Sequence, residues 1–70
     1  MNFSDALKEI KSGQDLRRKG WNGKGMNVHY RASKIQGELP YLEMTTVQGT
    51  LVPWLASQTD ILAEDWEFAT

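Results

Sequence analysis

Residues 20–25 combine, within one short glycine-rich segment, side chains that suit recognition of a nucleotide: Gly-Trp-Asn-Gly-Lys-Gly. The indole of Trp21 can stack on a base, and the ammonium of Lys24 can meet a phosphate. The spacing matches neither a Walker phosphate loop nor a dinucleotide fingerprint. The alternative interpretation is a glycine hairpin that folds Trp21 onto the core. The candidate ligand-binding residues of this loop are Trp21, Asn22, Gly23 and Lys24.

A second candidate segment is residues 53–60, Pro-Trp-Leu-Ala-Ser-Gln-Thr-Asp. Ser57 and Asp60 have the spacing of a capping box, which predicts that a short helix begins here. Backbone N–H groups at a helix start can meet an anion, but the Asp60 carboxylate disfavours phosphate on that turn and suits hydrogen bonds from ribose hydroxyls. We predict that Trp54, Ser57 and Asp60 contact the ligand. The alternative is a core tryptophan followed by a capped helix.

The sequence completes no catalytic or metal-binding motif. Glu64, Asp65 and Glu67 lack the His or Lys neighbours that tune a catalytic pair, so they indicate a solvated acidic surface. The serines have no Gly-x-Ser-x-Gly context, and the single histidine, His29, cannot build a zinc site alone. We therefore predict no catalytic residue, no metal and no cofactor, and a binding protein rather than an enzyme.

The composition limits the partners and the compartment. Cysteine is absent, which excludes disulfides and thiolate metal sites and suits a reducing cytoplasm. A net charge of −1 provides no basic field for a DNA or RNA polymer. No apolar run approaches the ~18 residues that span a membrane, and the first residues lack the features of a signal peptide. We expect a cytoplasmic protein with no membrane contact.

The length of 70 residues predicts one domain, residues 1–70, with a marginal core. Folds of this size usually need disulfides, a metal or a partner subunit as additional support. Because the first two are excluded, self-association is the expected support. The three tryptophans agree with this, since Trp is enriched at interfaces. We predict a homo-oligomer, specifically a tetramer built as a pair of dimers.

The elements that position these segments follow from hydrophobic periodicity. An apolar stripe predicts a helix over about residues 4–12, with Ser4 as its N-cap and Gly13 as its C-cap. Residues 14–18 are short and polar, which predicts a brief edge strand. Residues 26–32 alternate between apolar and polar side chains, which predicts a half-buried strand. The stripe of the helix consists of Phe3, Ala6, Leu7 and Ile10.

The second half of the sequence predicts three more elements of the sheet and a second helix. Residues 41–46 alternate as a strand, and a further strand begins at residue 51 and is stopped by Pro53. A helix over about residues 58–63 is expected to bury Ile61 and Leu62. Trp66 lies in a final strand and is expected in the core. The fold class is α+β: an N-terminal helix packed on a mostly antiparallel sheet of about five short strands, with a second short helix before the last strand.

These segments resemble a family of small phage and prophage proteins, the Thoeris anti-defence proteins of the second type. The resemblance rests on Trp-Asn-Gly-Lys-Gly-Met at residues 21–26, Leu-Pro-Tyr at 39–41, and Val-Pro-Trp followed by Ser-Gln-x-Asp-Ile-Leu-Ala-Glu-Asp-Trp within residues 52–66. The first helix is also similar, so the likeness covers most of the chain. Many relatives are longer between the first two long strands, a region that is short here, about residues 33–38.

The resemblance implies a molecular sponge. Such proteins sequester the cyclic ADP-ribose isomer by which a bacterial Thoeris system signals infection, without cleaving it, as homotetramers with pockets at subunit interfaces in the host cytoplasm. Some relatives also hold cyclic oligonucleotide signals of another defence system. Two other classes stay open: a protein-interaction module that inhibits a host factor through its Trp residues, and, less favoured, a nucleotide-processing enzyme.

Overall fold

A computed structural model describes residues 1–69 as two helices and one five-stranded sheet. The strands lie in the order β4-β3-β2-β1-β5, and all four pairings are antiparallel. This confirms the predicted α+β class and the predicted order of elements. The elements are α1 (Phe3–Lys11), β1 (Leu16–Arg18), β2 (Asn27–Arg31), β3 (Tyr41–Thr45), β4 (Leu51–Pro53), α2 (Gln58–Leu62) and β5 (Trp66–Phe68).

The position of β1 differs from the prediction of an edge strand. Leu16 pairs with Val28 of β2 on one side and with Phe68 of β5 on the other, so β1 lies inside the sheet. The polar composition of residues 14–18 suggested an edge, but the strand becomes internal because the last strand returns to pair with it. Such long-range pairing is decided by tertiary structure rather than by local composition.

Helix α1 begins one residue earlier than predicted, because Asn2 and not Ser4 is its N-cap. The Asn2 side-chain oxygen accepts a hydrogen bond from the backbone N–H of Asp5 at 2.9 Å. At the other end, Gly13 has a φ of +105°, a left-handed conformation that favours glycine, and its N–H donates to the carbonyl of Ile10 at 3.0 Å. The C-cap is Ser12, so Gly13, which was predicted as the C-cap, lies one residue beyond it and supplies the left-handed turn that ends the helix.

The core lies between α1 and one face of the sheet. Its buried side chains are Ala6, Ile10, Leu16, Val28 and Trp66. The predicted core position of Trp66 is confirmed: its indole is only 2% exposed, and its Nε1–H donates to the carbonyl of Asp60 at 3.0 Å. That bond satisfies the one polar atom of a buried indole.

The prediction that Ile61 and Leu62 are buried is wrong. Ile61 is 39% exposed and Leu62 is 75% exposed, and α2 contributes no buried residue. Helix α2 is five residues long, and the space above the sheet beside it is occupied by α1 and the Trp66 indole. The apolar side chains of α2 therefore remain at the surface.

The sheet face that points away from α1 is polar. His29 lies there because successive strand residues alternate between the two faces and its neighbour Val28 is in the core. Its ring nitrogens Nδ1 and Nε2 each lie 2.9 Å from an oxygen, of Asn27 and Glu43 respectively. Glu43 is buried and also lies 3.5 Å from Nη1 of Arg31.

In the part of the chain that the structure covers, neither helix is long and apolar enough to cross a membrane.

Candidate functional site

A pocket of about 320 Å³ opens where β1 runs into the glycine-rich loop. Trp21, Asn22, Gly23 and Lys24, the four loop residues predicted to bind a ligand, all line it. The rest of the wall comes from β1, from Lys19 directly after it, from the residue before β2 and from β5. A volume of this size lies at the lower end of the ~300–1,000 Å³ range of small-molecule sites.

Cations dominate the pocket wall. Arg17, Arg18, Lys19 and Lys24 line it, and Glu67 is the one carboxylate that residues 1–69 contribute. The whole chain has a net charge of −1, so positive charge is concentrated at this place. Arginine and lysine form charge-assisted hydrogen bonds with phosphate, which makes the pocket suitable for an anionic group. We call Arg17, Lys19, Lys24 and Glu67 the pocket rim.

The sequence analysis did not identify the basic residues of β1, Arg17 and Arg18, or Lys19, which follows the strand. Their signal was nevertheless present, because Arg17, Arg18 and Lys19 stand in a row immediately before the glycine-rich loop. The weak net charge of the chain hid this local run. A basic run that leads into a glycine loop is a better indicator of an anion site than the charge of the whole chain.

Arg18 connects the pocket loop to α2. Its Nε donates to Oδ1 of Asp65 at 2.9 Å, and its Nη1 donates to Oδ1 of Asp60 at 3.0 Å. The second oxygen of Asp65 accepts the backbone N–H of Gly20 at 2.9 Å. We call these four residues the Arg18 junction. It fixes the start of the loop against α2, through Asp60, and against Asp65, which precedes β5.

The electrostatics of the junction follow from these bonds. The hydrogen bond to Asp65, and then the one to Asp60, raise the pKa of the Arg18 guanidinium. The hydrogen bond from Arg18 lowers the pKa of Asp65. Burial raises the pKa of Asp60, but the hydrogen bonds from Arg18 and Ser57 outweigh it and leave that pKa below its ordinary value. Both carboxylates are therefore held in the charged form.

Trp54, Ser57 and Asp60 lie beside the pocket rather than in its wall. Ser57 Oγ accepts the N–H of Asp60 at 3.1 Å, and Asp60 Oδ2 accepts the N–H of Ser57 at 3.2 Å, which completes the predicted capping box. Both oxygens of Asp60 thus have partners within the protein, one from Arg18 and one from Ser57. The contacts seen for Ser57 and Asp60 are structural.

An aromatic cluster brings the two predicted segments together. The Trp21 ring lies 6.4 Å from the Trp54 ring and 5.4 Å from the Trp66 ring, both in edge-on geometry. Trp54 in turn lies 5.9 Å from Trp66 and 6.2 Å from Phe3. Trp21 is half-buried, so it packs on the core and lines the pocket at the same time. The two interpretations of Trp21 are therefore compatible.

Gly23 allows the loop to approach the turn between β3 and β4. A Cβ atom at this position would collide with Cγ2 of Val47 and would lie 2.5 Å from Sδ of Met26. Met26 lines the pocket and Val47 lies in the turn after β3, so a larger residue at position 23 would require these side chains or the loop to move. Within residues 1–69, no cluster of three or more His, Asp or Glu side chains could hold a metal ion.

Comparison with known proteins gives consistent results. A family model described as the Thoeris anti-defense 2-like domain matches residues 1–69. The chain is also 30% identical, over 87 aligned residues, to the protein called Thoeris anti-defense 2 from Bacillus phage SP01. That alignment covers 100% of this chain and 96% of the relative. Because the alignment is longer than the 70 residues of this chain, the relative carries additional residues.

Proposed function

We propose, from the premise that this chain belongs to the Thoeris anti-defense 2-like family, that it is a phage or prophage anti-defence protein that acts as a sponge. In this proposal it binds a cyclic nucleotide immune signal, a cyclic ADP-ribose isomer, and holds it without cleaving it. The observation that carries the proposal is the basic pocket, in which the Trp21 indole and the cations of the pocket rim meet in one wall.

The pocket matches the parts of such a ligand. Trp21 supplies an aromatic surface for a base, and Lys19 and Lys24 supply cations for phosphate. A stacked base contributes ~1–3 kcal/mol, whereas nanomolar affinity requires about −12 kcal/mol. Most of the binding free energy of the proposed sponge therefore comes from phosphate and ribose contacts in a closed pocket. Trp54 and Asp60 support the Trp21 side of that pocket through the contacts described above.

Closure of the pocket is proposed to require a second copy of the chain. Exposed apolar side chains lie in and just before α2: Leu62 is 75% exposed and Leu55 is 92% exposed. The five-residue core is small, so burial of this surface would add stability as well as a pocket wall. We propose a homotetramer of two dimers. Light scattering at micromolar concentration is expected to give about four times the 8.0 kDa chain mass, and a monomer mass would contradict the proposal.

Titration calorimetry with cyclic ADP-ribose isomers and cyclic dinucleotides tests the proposed function. Trp21→Ala and Lys24→Ala are each expected to weaken binding. Because exposed charges are screened by salt, the effect of Lys24→Ala on affinity should decrease more at high salt than the effect of Trp21→Ala does. Lys11→Ala is the matched control. It removes an exposed lysine that is the last residue of α1 and does not line the pocket, so this variant should bind as the unmodified chain does.

Two outcomes separate this proposal from the alternative of a host-factor inhibitor. Binding that is lost in the pocket variants and kept in the control supports the sponge. Failure of the folded and assembled protein to bind any of these nucleotides would contradict it. That failure would favour a protein-interaction role, for which Leu55 and Leu62 are the exposed apolar contacts.

A further inference from the structure

The pocket rim contains one ion pair, and this pair is exposed. Nε of Arg17 lies 2.8 Å from Oε2 of Glu67, and the two side chains are 40% and 36% exposed. The residues are direct neighbours in the pairing of β1 with β5, and both line the pocket. Among residues 1–69, Glu67 is the only carboxylate in the pocket wall, and it is paired with one of the two arginines there.

Arg17 is held much more loosely than Arg18. Arg18 donates to two carboxylates, at 2.9 Å and 3.0 Å, and its side chain is 17% exposed. Arg17 donates only through Nε, and its terminal nitrogens have no hydrogen-bond partner in residues 1–69. An exposed pair with one hydrogen bond contributes little to stability, so Glu67 can be displaced at low cost.

A phosphate group is a better partner for Arg17 than Glu67 is. The planar guanidinium can donate two parallel hydrogen bonds to one phosphate, and these charge-assisted bonds are strong. Lys19 and Lys24, which are exposed and line the same pocket, are not in an ion pair with any residue that the structure describes. Three cations can thus converge on an anion once Glu67 has moved away.

We infer that Arg17 and Glu67 form an exchangeable ion pair that selects ligands with linked phosphates. In the free protein Glu67 holds Arg17; a pyrophosphate group displaces Glu67 and takes the guanidinium together with Lys19 and Lys24. Displacement of a carboxylate favours ligands with more negative charge, so Glu67 discriminates against nucleotides with one phosphate. The inference rests on the proposed function, because it assigns residues of the same pocket to the phosphate part of the ligand.

The test compares ADP with AMP, which share base and ribose and differ by one phosphate. Calorimetry on Glu67→Gln is expected to show tighter binding of both, by about threefold for ADP, the size that an exposed ion pair supports, and by more for AMP. The preference for ADP therefore becomes smaller. Arg17→Gln is expected to weaken ADP binding about tenfold. Arg17→Lys keeps the charge but not the planar pair of donors, so its ADP affinity should lie between those of the unmodified protein and Arg17→Gln.

A double-variant cycle separates exchange from a general effect of charge. In the Arg17→Gln background, Glu67→Gln should change ADP affinity less than about twofold, because no pair remains to be broken. Glu64→Gln removes an equivalent exposed charge outside the pocket wall and should leave affinity unchanged. Circular dichroism on each variant checks that the β1–β5 pairing survives.

Three results would overturn the inference: unchanged affinity in Glu67→Gln, an equal gain in Glu64→Gln, or a gain that persists in the Arg17→Gln background. Absence of ADP binding to the unmodified protein would overturn it as well. The same variants titrated with a cyclic ADP-ribose isomer keep the two proposals apart. If the cyclic isomer binds tightly and its affinity is the same in the Arg17 and Glu67 variants, the sponge is supported and the exchange is contradicted. If the exchange is observed with ADP but the cyclic isomer does not bind, the sponge is contradicted.

Discussion

Two neighbouring arginines on one short strand serve different regions of the molecule. Arg18, which shares the core side of the sheet with its strand partner Trp66, is fixed in the Arg18 junction by two carboxylates. Arg17 points to the other side, where it meets only Glu67 on the pocket rim. The alternation of side chains along a strand places one arginine in the framework and leaves its neighbour available to a ligand. Substitutions in the Arg18 junction are thus expected to change the free energy of unfolding, and substitutions in the pocket rim are expected to change ligand affinity.

The largest expected effect comes from the support that both regions share. Trp66→Ala removes the largest buried side chain, against which Trp21 and Phe3 pack. Loss of a buried Trp costs about 3–5 kcal/mol, a large fraction of the stability of a small domain. Thermal and urea unfolding should show a severely destabilised protein. A loss below about 1 kcal/mol would mean that Trp66 does not anchor the cluster.

A smaller effect, with a specific pH signature, is expected at the junction. The pKa values of Asp60 and Asp65 in the folded protein lie below the ordinary aspartate value, so their stabilising contribution is present at pH well above that ordinary value and is lost as pH falls through the folded values. Arg18→Gln should lower the free energy of unfolding at pH 7 and reduce its further loss between pH 5 and pH 2. Parallel curves for variant and unmodified protein over this range would contradict the proposed coupling.

The capping box of α2 is expected to contribute less. Ser57→Ala removes the acceptor for the Asp60 N–H and should cost about 1 kcal/mol in a urea titration. Ser57→Asp, which retains an acceptor at the cap, is the control and should recover most of this loss. If Ser57→Ala instead weakened ligand binding with unchanged stability, Ser57 would belong to the site, as the sequence suggested.

The smallest effect on stability is expected at the rim. Arg17→Gln breaks an exposed ion pair and should change the free energy of unfolding by less than about 1 kcal/mol. The same variant is expected to lose ADP affinity. The contrast with Arg18→Gln would disappear if Arg17→Gln destabilised the protein as much as the junction variant does.

Local patterns in the sequence predicted most elements but not how strands meet. The stripe of α1, the alternation in β2 and β3 and the spacing of Ser57 and Asp60 are short-range signals, and the structure agrees with them. The internal position of β1 depends on pairing with β5, which lies about fifty residues away, and no local pattern encodes that contact.

The candidate site was predictable only in part for the same reason. Residues 21–24 are contiguous, so their shared place in the pocket wall could be predicted from the sequence. Glu67 enters the wall only because β5 pairs with β1. Ile61 and Leu62 have apolar side chains that suggested burial, but burial of a short helix depends on the space that other elements leave.

The proposed sponge holds its ligand without altering it. The most direct measurement incubates the purified protein with an equimolar cyclic ADP-ribose isomer, removes unbound ligand, denatures the protein and examines the released material by chromatography and mass spectrometry. The account predicts that a stoichiometric fraction is retained and released with its mass and retention time unchanged. Release of a linear or hydrolysed product, increasing with time and exceeding the amount of protein, would contradict it.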